Sequence, residues 1–214
     1  MQRCSARTFE TPSSFKRCRV ATYKRHDIEA LAIHPKTDMI YAASGNDIAD
    51  GNLNGHLYQI DGQTGELYPV GSTGFEEIGD LTFSQDGTLW AWAKGDGLIT
   101  IDITTGKGNL VFASDLPIEG LTLLEEGSPT FYGAVNTELW YYDTSTGALE
   151  IACNNLPGET EAIKGISAEL FLISIHGGEI FAFNPQTCEL GDAISTNEYN
   201  DVEGIALPVA ACTK

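Results

Sequence analysis

Four stretches of this chain turn back in the same way, and the anchor residue of each lies 41 residues after the one before it. They run Leu57 to Leu67, Leu98 to Leu110, Thr137 to Leu149 and Ile180 to Leu190, with Asp61, Asp102, Asp143 and Asn184 at the anchor position. In each, apolar residues read as a short strand, an Asp-x-x-Thr-Gly or related turn follows, and a second strand begins. A fixed period of this length marks a repeat architecture, and repeats made of strands and tight turns mark a β-propeller. No window spaces its apolar residues as a helix of ten or so residues requires, so the expected class is all-β.

The strand that opens each repeat occurs five times, as DIEALAI (27 to 33), EIGDLTF (77 to 83), PIEGLTL (117 to 123), TEAIKGI (160 to 166) and DVEGIAL (201 to 207). Five starts against four complete repeats leave one repeat to be made from the two chain ends. Each anchor precedes the next start by a nearly constant distance, which places a fifth anchor near Glu10, with Ser13 and Ser14 standing where the others have Thr-Gly. The expectation is one domain over residues 1–214, a five-bladed ring with blades at about 28–75, 77–115, 117–158, 160–199, and a last one shared by 201–214 and 1–26. Closure of this kind hides the sheet edges of the end blades. The loop from Gly45 to Gly55 is longer than its counterparts AKGDGL, AVNTEL and IHGGEI.

The L-y-x-I-D-x-x-T-G hairpins and I-E-G-L starts resemble those of secreted bacterial β-propellers of the YVTN and quinoprotein-like kind, over nearly the whole chain. The resemblance implies an exported protein, periplasmic or extracellular, whose leader is absent from this sequence. It specifies a fold and leaves the activity open, because such propellers include enzymes, binding modules and scaffolds.

Charge narrows the partners. Residues 1 to 26 hold seven of the 12 basic residues and one acid, whereas the remainder carries five basic and 29 acidic residues within a net charge of −18. Such a surface repels phosphate backbones and anionic membranes, so nucleic acid is not an expected partner and no membrane insertion is expected. The five cysteines lack the C-x-x-C spacing of a zinc site. Cys4, Cys18 and Cys212 fall in the closing blade, where Cys212 could bridge to either of the others. Cys153 and Cys188 fall on opposite rims in this reading and are expected not to pair.

Aligning the repeat starts gives a column of Glu29, Gly79, Glu119, Glu161 and Glu203, with Asp80 one place past the gap. First strands line the channel of a propeller, so these carboxylates are expected around its mouth. Two readings stand: each accepts backbone hydrogen bonds from the neighbouring blade, or together they hold a cation or ligand. A second candidate lies in the long loop, where Asp50, Asn52 and Asn54 lead to Gly55 in a D-x-N-x-N-G pattern and Asp61 occupies the twelfth place. That is the spacing of a calcium loop, but position twelve is Asp instead of Glu and Asp61 already serves the hairpin repeat. His26, His56 and His176 fall on the glutamate rim, and His176 joins the ligand candidates; His34 falls on the other. Trp90, Trp92, Trp140, Tyr141 and Tyr142 lie on strands and are read as packing between blades. The chain contains no G-x-S-x-G, H-E-x-x-H or phosphate loop.

The leading expectation is therefore a non-catalytic propeller that binds a small ligand or protein at an acidic channel-mouth rim, with calcium as the candidate ion. The alternative is a metal-dependent lactonase- or esterase-like hydrolase, in which a channel-mouth cation polarises an ester carbonyl. A third reading makes the basic first 26 residues a docking element for an acidic partner.

Overall fold

A computed structural model describes residues 21–47, 51–194 and 202–208. These form sixteen strands in four antiparallel sheets of four, with no helix among the described residues. Blade one comprises β1 (Ile28–Ile33), β2 (Ile40–Ser44), β3 (His56–Ile60) and β4 (Leu67–Ser72). Blade two comprises β5 (Ile78–Phe83), β6 (Leu89–Ala93), β7 (Gly97–Ile101) and β8 (Gly108–Ala113). Blade three comprises β9 (Leu121–Leu124), β10 (Thr130–Val135), β11 (Glu138–Asp143) and β12 (Ala148–Cys153). Blade four comprises β13 (Thr160–Ser167), β14 (Leu170–Ile175), β15 (Ile180–Asn184) and β16 (Glu189–Ile194). In every blade the strands pair in chain order.

The 41-residue period is visible in the turns. Asp61 Oδ1 accepts the amides of Gln63 and Thr64, each at 2.8 Å. Asp102 accepts Thr104 N at 2.8 Å, Asp143 accepts Ser145 N at 2.8 Å, and Asn184 accepts Gln186 N at 2.9 Å. An Asx side chain that caps its own turn needs no partner from elsewhere, so the anchor fixes the hairpin locally.

The core lies between successive blades. Leu57 and Tyr41 of blade one meet Ile78, Leu81 and Ile99 of blade two. Trp92 and Leu98 meet Leu121 and Phe131 of blade three, and Ala134 and Leu139 meet Ile163, Phe171 and Ile173 of blade four. The aromatic residues serve these seams. Trp90 lies 4.9 Å from Phe131, Tyr142 lies 4.4 Å from Phe112, and Trp92 Nε1 donates to the Leu116 carbonyl at 2.8 Å. Trp140 packs at the edge of the same cluster, while Tyr141 faces outward and donates to Glu150 at 2.8 Å.

Two sequence expectations change. The described residues show four blades where five were expected: residues 21–26 and 202–208, the described parts of the expected closing blade, contain no strand, and the rest of that blade falls on residues outside the description. Cys153 and Cys188 do pair, in a disulfide that joins β12 to the β15–β16 turn with Cα atoms 5.7 Å apart. Assigning them to opposite rims overlooked how the outer strand of one blade lies against the hairpin turn of the next. Gly71 of β4 and Gly106 of the β7–β8 turn are the counterparts of Cys153 and Cys188, two repeats earlier, and there the backbones touch so closely that neither glycine has room for a Cβ. Cys4, Cys18 and Cys212 lie outside the described residues.

Candidate functional site

Antiparallel pairing of the first two strands in a blade sets what can gather at its inner end. The residue that follows the second strand donates its amide back to the residue that precedes the first, as Gly45 N does to Asp27 O at 3.0 Å, Lys94 N to Glu77 O at 3.1 Å and His176 N to Glu159 O at 2.8 Å. A bulge falls at the column residue of these three blades, between Ile28 and Ala30, Ile78 and Asp80, and Thr160 and Ala162. Blades one, two and four present, side by side, the residue before the first strand, the column residue and the residue after the second strand.

In blade two that last residue is Lys94, and it organises the site. Its Nζ lies 2.8 Å from Glu77, 3.1 Å from Glu119 and 3.2 Å from Glu29, so one ammonium from blade two holds carboxylates of blades one, two and three. The lysine side chain is only 15 % exposed. Burial would lower its pKa, but the Glu77 hydrogen bond and the charges of Glu29 and Glu119 outweigh burial and hold it above the ordinary lysine value. Burial likewise pushes the Glu29 carboxyl up to about 7; Lys94 opposes the shift, and the charges of Asp27 and Glu77 add to it. Gly45 makes this placement possible, because a Cβ there would occupy the position of the Glu29 carboxylate.

Asp80 belongs to a different environment. It is fully buried, and its two oxygens accept Leu81 N and Leu121 N, each at 2.7 Å. The second bond crosses to blade three, so here the carboxylate fixes blade packing. Burial pushes the Asp80 carboxyl up and the Lys164 ammonium down, and each opposes the other's shift through its charge.

Glu161 and His176 stand together in blade four, His176 Nδ1 lying 3.4 Å from Glu161 Oε1. Glu159 joins them, and one ligand atom from each of the three lies within 4.8 Å of the others. Glu203 is half-buried and has interactions of its own. The structure thus brings Glu29 and Glu119 together through Lys94, pairs Glu161 with His176, and sends Asp80 into a blade seam.

The inserted loop uses its polar side chains internally. Asn52 Oδ1 accepts Asp27 N at 3.2 Å, and its amide donates to the carbonyls of Gly45 and Asp47 at 3.3 and 3.1 Å. The Asn54 carbonyl lies 3.2 Å from His56 Nδ1. Asp61 caps its own hairpin, as above. Asp50 lies outside the described residues. His26 and His56 both lie against Tyr58, with ring centroids 5.6 and 6.3 Å away, and His34 contacts Phe83 of blade two at 5.0 Å.

Sequence reasoning missed Lys94, Glu77 and Glu159. A signal for Lys94 exists: past residue 26 the chain has only five basic residues, and Lys94 is the one set among Glu29, Glu77 and Glu119. The glutamates at 77 and 159 share the start-motif alignment with Asp27, two places before the column.

No protein-family model and no curated protein matches the sequence. By structure, the protein is similar to a chain in the crystal structure of a Nidogen/Laminin complex, with a TM-score of 0.58, 9% identity and 85% of each chain covered. That likeness concerns the fold, which is an all-β propeller. No described helix is long and apolar enough to cross a membrane.

Proposed function

We propose that this protein is a non-catalytic binding propeller whose acidic inner rim takes a cationic group of a ligand or partner protein. The observation that carries the reading is Lys94 set among Glu29, Glu77 and Glu119. Three carboxylates around one ammonium leave an excess of acceptors at a place built from three blades, and the protein's own lysine displays the kind of group they hold. Glu77 and Glu119 are more exposed than Lys94, so their outer lone pairs face the entering partner.

An oligolysine peptide is the direct probe, read by fluorescence anisotropy. Binding should weaken steeply with added salt and fall by about tenfold in Glu77→Gln and in Glu119→Gln, since each loses a charge-assisted hydrogen bond. Binding that ignores both substitutions would overturn the reading. So would turnover of an ester and lactone panel with added divalent metal that disappears in Glu119→Gln. Calcium enters as a candidate ion of the same rim, and calorimetric titration after chelation, with neither heat nor a shift in melting temperature, removes it.

The fifth blade and export belong to the same proposal. Gly204 approaches blade one as Gly120 approaches blade four: a Cβ on Gly204 would lie 3.0 Å from Leu31 N, and one on Gly120 would lie 2.7 Å from Ile163 N. Leu31 and Ile163 hold the same place in the repeat. On the outside, the Tyr23 hydroxyl donates to the carbonyl of Gly65, the turn residue of blade one that corresponds to Cys188 in the disulfide contact. Both contacts support a blade assembled from the two chain ends and set before blade one. The Cys153–Cys188 disulfide supports an oxidising compartment, as the resemblance to exported bacterial propellers implies.

A further inference from the structure

We propose that Glu159, Glu161 and His176 form a binding site for a divalent transition metal of the zinc class. The inference goes beyond the cationic-partner reading, which concerns blades one to three, and either can fail without the other.

The local fold builds the ligand set. Glu159 directly precedes β13, Glu161 sits in the bulge between Thr160 and Ala162, and His176, directly after β14, is held beside them by its amide bond to the Glu159 carbonyl. His176 Nδ1 and Glu161 Oε1 are 3.4 Å apart, close to the separation of roughly 3.3 Å that two ligands on a tetrahedral ion at about 2.0 Å require. Glu159 completes the group within 4.8 Å, and as an exposed side chain it is free to close that distance by rotating. The Glu161 side chain is 10 % exposed and that of His176 is 65 % exposed. One ligand is anchored and two open to solvent, which provides a path for the ion and a fourth position for water.

The comparison with blade two supplies the second argument. His176 occupies the place of Lys94, and Glu159 that of Glu77, by both the repeat alignment and the shared backbone bond. In blade two that place holds a cation bound by carboxylates, and the cation is the protein's own ammonium. In blade four Glu159 keeps the place of Glu77, Glu161 stands where blade two has Gly79, and the ammonium is exchanged for an imidazole, which donates a lone pair to a metal when neutral. One nitrogen with two carboxylate oxygens favours zinc, nickel or cobalt over calcium, whose sites are made of oxygen alone.

Calorimetric titration of the metal-stripped, thiol-blocked protein with zinc alone tests this, with calcium as a parallel arm. Zinc should bind at one equivalent and more tightly than calcium. His176→Ala, on an exposed side chain, should retain the circular dichroism spectrum of the wild type and lose zinc affinity by more than the roughly tenfold that even an outer-shell partner is worth. Glu159→Gln should lose it by a similar factor. An absence of zinc binding in the wild type, or zinc binding unmoved by His176→Ala, overturns the proposal. Oligolysine binding should survive His176→Ala, which separates this site from the rim around Lys94.

Discussion

Glu29 shows what a repeat alignment leaves unsaid about a residue. The repeat alignment puts it at the rim, but its carboxyl sits under Gly45 with Asp27 and Glu77 for neighbours, and burial raises its pKa from 4.5 to about 7. An acid whose pKa is higher folded than unfolded binds more protons when folded, so its contribution to stability declines as pH rises. The decline should run from about pH 4.5 to about pH 7 and then level off, with a magnitude of roughly 3 kcal/mol. Glu29→Gln removes this titration while leaving Lys94 its bonds to Glu77 and Glu119. Urea unfolding at pH 5 and pH 8 should therefore show a smaller pH difference in the variant, and at pH 8 the variant should be the more stable protein. If Glu29→Gln is instead the weaker protein at pH 8, attraction to Lys94 outweighs the cost of burial. The alignment could not disclose this, because a column of glutamates reports position alone, whereas Gly45 follows β2 and Lys94 comes from the neighbouring blade.

At the scale of strands and turns the sequence was most legible, and the reason is local physics. Asp61, Asp102, Asp143 and Asn184 each close a turn with bonds to amides two or three residues on, so nothing distant is needed to predict the hairpin. Contact between hairpins of different blades depends on how the sheets stack, and that was read wrongly for Cys153 and Cys188. Their disulfide closes a segment with a sequence separation of 35 and should contribute roughly 4 kcal/mol in the chain-entropy account. Cys188 also occupies a left-handed conformation, φ 57°, where its counterparts Gly65, Gly106 and Gly147 have φ of 73°, 79° and 74°. The double variant Cys153→Ser, Cys188→Ser should lose most of the bridge's contribution. Cys153→Ser with Cys188→Gly should lose about 1 kcal/mol less, because glycine takes up that backbone without steric cost. Equal losses in guanidinium unfolding would show that the turn tolerates a side chain and that the crosslink accounts for the whole effect.

For the molecule as a whole the open matter is how blade four meets blade one. Inner strands contact one another in sequence, β1 with β5, β5 with β9 and β9 with β13, and residues 202–208 reach both blades that remain. The Ser174 hydroxyl of β14 donates to the Val202 carbonyl at 2.7 Å, and Gly204 lies against Leu31 of β1. The start motif DVEGIAL announced this segment, since its glycine matches Gly120, whose approach to Ile163 forms the same kind of seam two repeats earlier. The nearest atom to a Cβ at Gly204 is the Leu31 backbone nitrogen, with Leu31 Cβ and Cγ just beyond it at 3.2 and 3.4 Å. If 202–208 closes the ring, Gly204→Val should cost about 1–3 kcal/mol, as overpacking does, and Gly120→Val should cost a similar amount. The amides of β1 should then exchange faster in Gly204→Val, while those of β7 and β11, away from the seam, stay protected. A loss within about 0.5 kcal/mol, as surface substitutions give, would make the segment a peripheral tail. The glutamate rim would then be an arc across four blades instead of a circle, with Glu29 at one end and Glu161 at the other.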